Sequence, residues 1–394
     1  GWVVSLEDFL KAGESQNEAE LETRAATLSK DSILTIIYTS GTTGKPKGVV
    51  LTHDAMVYEA EGIKEVGVIR SDDIQLFFLP LAHVFAKVLE VSWFTTRHVM
   101  AFAESFQTIK QNMGETAPTV MCAVPRVFEK FHAAVVEKAT AEGGLKAKLF
   151  NAGLELSIKN GELIREGKPG LSGLEALKFK FLKGLIFKKI GAGLQEIMGG
   201  RMRVMVSGGA PLSPKISYFF SDAGLEILEG YGLTETSAAS FCNRPGQVKI
   251  GTVGPPLPGT QVKIAEDGEI LIKGRGVLRE YWKRPEATSE VLKDGWLHTG
   301  DIGELTADGC LRITDRKKDI IVTAGGKNVA PQNIENLMKL HKLVANFVVH
   351  GDQRKFLSAL VTLDPDALKE YADKQGLKGS HAELSRTPEI QREI

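Results

Sequence analysis

The segment Tyr38-Thr39-Ser40-Gly41-Thr42-Thr43-Gly44-Lys45-Pro46-Lys47-Gly48 is the most informative part of this sequence. Its glycines permit close backbone approach to an anion, its hydroxyl side chains supply hydrogen-bond donors, and its lysines supply positive charge. This combination suits a triphosphate, because each anionic oxygen must regain the hydration that it loses on binding. The apolar, β-branched run at 33–38 predicts a buried strand just before the segment, and open α/β sheets bind ligands after such strands.

The glycine spacing separates this segment from a Walker loop. A Walker loop places four residues between its glycines and ends in Gly-Lys-Ser/Thr, whereas Gly41 and Gly44 are closer and Pro46 follows Lys45. Proline offers neither a hydroxyl for magnesium nor an N–H. The spacing therefore excludes a P-loop phosphotransferase. For the segment alone, a flexible surface loop remains the alternative.

Apolar runs alternate with helical patterns through the first two thirds of the chain. The runs at 74–79, 99–103, 119–124 and 203–206 predict strands, and the apolar positions of 127–135 share one helix face. Strands that alternate with helices predict an α/β core with a largely parallel sheet.

The pattern changes after about residue 245. Alternating segments flank Glu266-Asp267-Gly268 and Ala307-Asp308-Gly309, which predicts two hairpins. The charged run at 315–319 then precedes further strands and a helix that begins at Pro331. We expect a large α/β domain at 1–315 with mostly parallel sheets, helices and a β-rich subdomain, then a hinge at 316–318. A small mobile α+β domain is expected at 319–394, with both ends of the chain incomplete.

Composition and charge exclude several classes of protein. Lys plus Arg and Asp plus Glu number 49 each in 394 residues, so no basic excess points to nucleic acid. The 3 cysteines are far apart and form no metal-ligand or disulfide pattern, which favours a cytoplasmic location. No apolar run is long enough to span a bilayer.

The segment 174–190 mixes five lysines with leucine, phenylalanine and isoleucine. A membrane-surface helix is one interpretation, but at about 100° per residue the lysines scatter around the helix. We therefore favour a core-packing helix with lysine stems at its margins, and leave a weak peripheral membrane contact as the alternative.

The phosphate segment resembles that of the adenylate-forming superfamily, and further motifs follow in the family's order. They are Pro80-Leu81-Ala82-His83-Val84-Phe85, Ser207-Gly208-Gly209-Ala210-Pro211-Leu212, Gly230-Tyr231-Gly232-Leu233-Thr234-Glu235-Thr236, Gly295-Trp296-Leu297-His298-Thr299-Gly300-Asp301, Asp315-Arg316-Lys317-Lys318-Asp319 and Gly325-Gly326-Lys327-Asn328-Val329. The resemblance covers the chain from about residue 31 to its end. Within the superfamily, the residues at 80–85, 124–130 and 199–201 most resemble those of long-chain acyl-CoA synthetases.

The resemblance implies a role for each motif. Thr39, Ser40, Gly41, Thr42, Thr43, Gly44 and Lys45 would bind the ATP phosphates; Gly208, Gly209, Ala210, Gly230, Tyr231 and Gly232 the adenine; and Asp301 and Arg316 the ribose. Thr234 would donate to the α-phosphate, Glu235 would hold Mg²⁺, and His83 would lie near the reacting carboxylate. Lys318 would be the hinge, and Gly325, Gly326 and Lys327 would face coenzyme A.

Taken singly, these residues have ordinary structural explanations. Gly208 and Gly209 fit any turn, and Tyr231 fits a core aromatic. Glu235 fits a solvated surface charge, Asp301 a turn cap, and His83 a packed core histidine.

The resemblance implies a fatty acid–CoA ligase that uses ATP, Mg²⁺ and coenzyme A and forms an acyl-AMP intermediate. Two alternatives remain open: a fatty acyl-AMP ligase that delivers to a carrier protein, and a truncated, inactive nucleotide-binding module. A C-terminal lysine that serves adenylation in the family has no candidate before Ile394. The sequence predicts neither oligomeric state nor chain-length preference.

Overall fold

The computed structural model describes residues 3–39, 45–141, 143–338 and 341–394. Its helices are α1 (Leu6–Gly13), α2 (Glu18–Ala26), α3 (His53–Glu65), α4 (Val84–Thr96), α5 (Ile109–Thr116), α6 (Pro125–Thr140), α7 (Gly144–Arg165), α8 (Gly173–Leu182), α9 (Lys188–Ile197), α10 (Pro214–Asp222), α11 (Pro285–Val291), α12 (Pro331–Met338), α13 (Pro365–Gln375), α14 (His381–Leu384) and α15 (Pro388–Glu393). A π-helical turn, Lys183–Phe187, joins α8 to α9, and a 3₁₀ turn is formed by Thr234–Thr236.

Within the described ranges, the strands form five sheets. They are β1 (Ile33–Thr39), β2 (Lys47–Thr52), β3 (Ile74–Phe77), β4 (Val99–Phe102), β5 (Val120–Ala123), β6 (Val204–Ser207), β7 (Ile227–Tyr231), β8 (Phe241–Cys242), β9 (Gln261–Ile264), β10 (Glu269–Lys273), β11 (Glu280–Tyr281), β12 (Leu292–Lys293), β13 (Trp296–Leu305), β14 (Leu311–Arg316), β15 (Ile321–Val322), β16 (Asn328–Val329), β17 (Val344–His350) and β18 (Ser358–Leu363).

The largest sheet has the order β4-β3-β5-β6-β7-β8, and every pair is parallel except β7 with β8. The four apolar runs predicted as strands are confirmed as β3 to β6. All four residues of β5 are buried, with Val120 and Cys122 in one core cluster and Met121 and Ala123 in a second cluster. Burial on both faces explains why this strand is an unbroken apolar run.

The strand predicted at 33–38 exists as β1, but the expectation that it precedes a ligand site of the parallel sheet is wrong. It pairs antiparallel with β2 in the separate sheet β1-β2-β11, and only Ile37 is buried along it. Only residues 40–46 separate β1 from β2 in the sequence, whereas a parallel pair needs a long crossover.

The β-rich region and the small domain agree with the predictions. The turn at 266–268 joins β9 to β10, and the turn at 307–309 joins β13 to β14. In the small domain, α12 begins at Pro331 as expected, and β17 pairs with β18. Leu343, Leu368 and Ile390 belong to a core cluster of their own.

The lysine-containing segment at 174–190 is helical, and one of its faces packs into the protein core. Phe179, Leu182 and Phe187 are buried there, which agrees with the favoured interpretation. The opposite face is not accounted for by core packing, because Leu174 is 84% exposed and Phe181 is 66% exposed. Among the described residues, no helix is both long and apolar enough to cross a bilayer.

Candidate active site

A cavity of about 1510 Å³ lies among the β1–β2 hairpin, the carboxyl ends of β6 and β7, and the strand pair β13–β14. Parallel strands bring their carboxyl ends to one edge of a sheet, so separate sequence motifs meet here. The lining includes the following predicted site residues: Thr39, Lys45, His83, Gly208, Gly209, Gly230, Tyr231, Gly232, Thr234, Glu235, Asp301, Arg316 and Lys318.

The remaining predicted site residues fall into two groups. Ser40, Gly41, Thr42, Thr43 and Gly44 lie outside the described residues. The described lining does not include Ala210, nor the exposed turn of Gly325, Gly326 and Lys327 between β15 and β16.

The two glycine motifs at the sheet edge lie against bulky neighbours. A Cβ on Gly208 would come within 3.3 Å of the Phe85 ring. A Cβ on Gly232 would overlap the Ala238 carbonyl oxygen, so the chain can reverse here only with glycine. Thr234 and Glu235, which follow shortly after β7 ends, line the cavity.

Asp301 is shared by two other predicted ligand residues. The Tyr231 hydroxyl donates to Asp301 Oδ2 at 2.6 Å, and Arg316 Nε donates to Oδ1 at 3.2 Å. Asp301 is 4% exposed, and burial raises its pKa against the opposing effects of Tyr231 and Arg316. The turn-cap explanation is wrong for this carboxylate, because the hydrogen bonds that it accepts from described residues come from these two side chains.

Glu235 is held by a residue that the sequence did not point to. The Tyr281 hydroxyl donates to Glu235 Oε1 at 2.7 Å, and Lys47 Nζ lies 5.0 Å from the centre of the Tyr281 ring. Burial, followed by the charge of Glu235, raises the pKa of Tyr281, so its hydroxyl remains a donor. Tyr281 and Glu235 are 46 residues apart, and no local pattern links them.

The segment 316–318, which the sequence predicts as a hinge, is anchored on its N-terminal side. Lys317 Nζ contacts Asp267 Oδ2 at 2.5 Å and Glu269 Oε2 at 3.1 Å. Glu269 also accepts the Gly300 N–H at 2.9 Å. Lys318 is exposed beside the same cavity. Arg316 and Lys317 are therefore bound to the β-rich region by ion pairs, while no ion pair is found for Lys318 among the described residues.

His83 is exposed at the start of α4, where its side chain makes no capping hydrogen bond. The core-packed explanation for this histidine is therefore wrong. The same cavity is also lined by apolar residues of one core cluster, and we call this part of the lining the apolar compartment. That compartment is lined by Val66, Val68, Ile69, Val84, Phe85, Val88, Leu89, Cys122, Val206, Ala238, Cys242 and Leu257.

A family model described as "AMP-binding enzyme" matches residues 2–282. The chain belongs to the AMP-binding enzyme family. The model of the AMP-binding enzyme C-terminal domain matches residues 318–385. The resemblance to adenylate-forming enzymes is thus confirmed.

Curated members of the AMP-binding family include similar proteins from bacteria and plants. The chain is 39% identical to "Long-chain-fatty-acid--CoA ligase FadD15" of Mycobacterium bovis, over 99% of this chain and 64% of that protein. It is 37% identical to "Putative fatty-acid--CoA ligase fadD11" of Mycobacterium tuberculosis, over 98% and 68%. It is 33% identical to "Long chain acyl-CoA synthetase 3" of Arabidopsis thaliana, over 98% of this chain and 58% of that protein. The chain therefore spans slightly less than two thirds of the length of the first of these relatives.

Solved structures of similar proteins share the fold. An o-succinylbenzoate CoA synthetase from Bacillus subtilis, in complex with an acyl-adenylate intermediate, is 24% identical with a TM-score of 0.63, over 87% of this chain and 63% of that chain. ATP-bound MatB from Rhodopseudomonas palustris is 25% identical with a TM-score of 0.61, over 88% and 62%. The mixed α/β fold predicted for this AMP-binding enzyme is therefore confirmed.

Proposed function

We propose that the protein is a long-chain fatty acid–CoA ligase of the AMP-forming type. In the first step, the fatty carboxylate attacks the α-phosphorus of ATP, acyl-AMP forms and pyrophosphate leaves. In the second step, the thiol of coenzyme A attacks the acyl carbon and AMP leaves. One observation carries this proposal: a single cavity joins a polar end with Asp301 and Glu235 to an apolar compartment.

The first step needs positioning and positive charge rather than a base. A fatty carboxylate has a pKa far below 7 and is already the nucleophile, but it must approach an anionic phosphate. Lys45, Lys47 and Lys318 line the cavity and supply charge that offsets the repulsion. We place the ATP phosphates at the β1–β2 loop, with Thr39 and Thr234 as donors.

The nucleoside is proposed to lie at the carboxyl edge of the parallel sheet. Adenine would lie between the backbone of Gly208 and Gly209 and the ring of Tyr231. The ribose hydroxyls would reach Asp301, because each carboxylate oxygen that is already bonded keeps a second lone pair. His83, which is exposed and lines the same cavity, is proposed to face the reacting carboxylate.

Mg²⁺ is proposed to bind at Glu235. Magnesium prefers few protein carboxylates and fills its shell with phosphate oxygens and water. The donor set fits, because Tyr281 engages only Oε1 of Glu235, and no described residue donates to Oε2. The ion would supply positive charge at the transferring phosphate.

The apolar compartment is the proposed site of the acyl chain. Burial of each methylene contributes roughly 0.8 kcal/mol, which favours long chains over short ones. For thioester formation, we propose that the small domain turns about Lys318 and brings Gly325, Gly326 and Lys327 toward the cavity, with coenzyme A entering on that side.

The acceptor of the acyl group decides between this proposal and its alternatives. The test is release of AMP by the full-length protein with ATP, a long-chain fatty acid and either coenzyme A or a carrier protein. Release that requires coenzyme A supports the ligase. Release only with a carrier protein supports a fatty acyl-AMP ligase, and ATP binding without pyrophosphate exchange supports an inactive nucleotide-binding module.

We also propose a weak contact of α8 with an anionic membrane surface. Leu174, Leu177 and Phe181 lie on the exposed face of the helix, and Lys178 and Lys180 flank them. Apolar side chains with lysines at their margins suit a helix that lies in the lipid interface.

Flotation with anionic and with neutral vesicles tests this contact. Leu177→Ser with Phe181→Ser should abolish the vesicle-bound fraction, while Phe356→Ser, which removes a 74% exposed side chain of the small domain, should not. No bound wild-type protein, or equal binding by all variants, would contradict the contact.

A further inference from the structure

Glu59 is a buried carboxyl group on the inner side of α3. It is 1% exposed, and no described residue forms a hydrogen bond with its Oε2 atom. Burial raises its pKa well above the usual range, against a hydrogen bond from the Ala239 backbone. A buried carboxyl with an unused oxygen is costly to keep, and none of the roles proposed above explains it.

The Ala239 backbone, which Glu59 contacts, is separated from the 3₁₀ turn Thr234–Thr236 only by Ser237 and Ala238. Ser237 has a φ of 59° and Ala238 a φ of 107°, a region that residues other than glycine rarely adopt and that persists only where the surroundings enforce it. The Ser237 hydroxyl donates to the Gly276 carbonyl at 2.7 Å, and the Leu278 N–H donates to the Glu235 carbonyl at 2.7 Å. This strained segment therefore needs external support.

Gly276 contacts both the strained segment, through the Ser237 hydroxyl, and the Glu59 carboxyl group. A Cβ on Gly276 would lie 2.5 Å from Glu59 Oε1 and 3.0 Å from the Thr236 carbonyl oxygen. The carboxyl, the glycine and the 3₁₀ turn are thus packed without room for a methyl group. Glu59 thus contacts Ala239, which follows the strained residues, and Gly276, whose carbonyl accepts the Ser237 hydroxyl.

We propose that Glu59 is a positioning residue for the segment that presents Thr234 and Glu235 to the cavity. Its carboxyl braces the turn at Ser237 and Ala238 and so fixes the direction in which the preceding side chains face. This inference rests on the proposed function, because it concerns the same adenylation site. Glu59 itself touches neither substrate nor metal.

The test compares Glu59→Ala, Glu59→Gln and wild type in the full-length protein by fatty-acid-dependent pyrophosphate exchange and by chemical unfolding. Glu59→Ala should lower kcat by about tenfold or more with the fatty acid KM unchanged, because an unbraced turn misplaces catalytic groups. Glu59→Gln keeps an acceptor for the Ala239 N–H and should restore most of the rate. Tyr58→Phe is the matched control, since it removes a hydrogen bond of the same helix to Thr260 and should leave kcat unchanged.

Two outcomes would overturn the inference while leaving the proposed function intact. One is an active wild type in which Glu59→Ala changes stability but not kcat. The other is a glutamine variant as slow as the alanine variant although both are folded. A wild type without any exchange would overturn the proposed function and this inference with it.

Gly276→Ala gives a second, independent measurement. The added methyl group should push the carboxyl and the 3₁₀ turn apart and lower kcat in the same way. Because the two residues act on one contact, the Glu59→Ala/Gly276→Ala double variant should lose less than the product of the single losses. If the kcat loss of the double variant equals the product of the two single losses, the two residues act independently. That result would contradict a role of Glu59 in holding the turn.

Discussion

The Tyr231 hydroxyl donates a hydrogen bond to Asp301 Oδ2 at 2.6 Å, and this contact joins the end of β7 to β13. The other oxygen of Asp301 accepts from Arg316, at the start of the predicted hinge. One buried carboxylate thus links the proposed adenine site, the proposed ribose site and the segment about which the small domain would turn.

Replacement of Asp301 tests its role toward ATP. Asp301→Asn keeps the shape but loses the charge that strengthens its hydrogen bonds, so the KM for ATP should rise about tenfold. Asp308→Asn is the control, because Asp308 is an aspartate of the same region that bonds Lys249 in an exposed turn. A variant that lowers only the melting temperature, with an unchanged KM for ATP, would contradict a ribose role.

The contact between Tyr281 and Glu235 leads to a prediction about magnesium. Tyr281→Phe removes the donor that orients the carboxylate, so half-maximal activity should need about threefold more Mg²⁺, and Glu235→Ala should need more still. Tyr371→Phe removes a comparable bond to Glu393 in the small domain and serves as the control. Magnesium titrations that coincide for all variants would remove Glu235 from the metal site.

The sequence predicted the strands of the parallel sheet because continuous apolar runs follow from burial on both faces, as in β5. It wrongly predicted β1 as a buried strand of the open α/β sheet, because an apolar β-branched run does not say which sheet the strand will join. The same limit applies to the site, where single ligand residues could be predicted but contacts between distant residues could not. Asp301 and Tyr231 were each predicted as ligand residues, but the bond between them spans 70 positions, and Tyr281 carries no local signal at all.

The hinge prediction concerns the second half-reaction. Lys318→Pro fixes φ at the residue where the anchored side of the hinge ends, so thioester formation should slow at least about tenfold more than adenylation. Lys318→Ala removes the side chain but keeps backbone freedom, and separates the two effects. The measurement is single-turnover kinetics of each half-reaction; equal losses in both would refute the hinge.

Glu229 predicts a pH dependence of stability. Burial raises its pKa to about 8 from a usual value of 4.5, against hydrogen bonds from Ser217 and Leu212. The folded state therefore keeps a proton that the unfolded state has released. The stability that this proton contributes to the folded state is fully present below the unfolded-state pKa of 4.5. It is lost as the pH rises from there to about 8, and the folding constant falls by up to about tenfold per pH unit.

Glu229→Gln removes this titration. Chemical unfolding at about pH 5 and about pH 8 should show that the variant gains stability relative to wild type as the pH rises. Ser217→Ala, which removes one partner but leaves the carboxyl, should keep the dependence. Parallel curves for wild type and Glu229→Gln would show that the carboxyl titrates at its ordinary pKa.

Pyrophosphate exchange by the full-length protein, measured with a series of saturated fatty acids, tests the central claim most directly. A cavity that joins a nucleotide site to an apolar compartment predicts exchange that requires both ATP and a fatty acid, with an apparent affinity that strengthens along the series as methylenes are buried. Exchange that is absent with every acid, or equal for acids of every length, would contradict it.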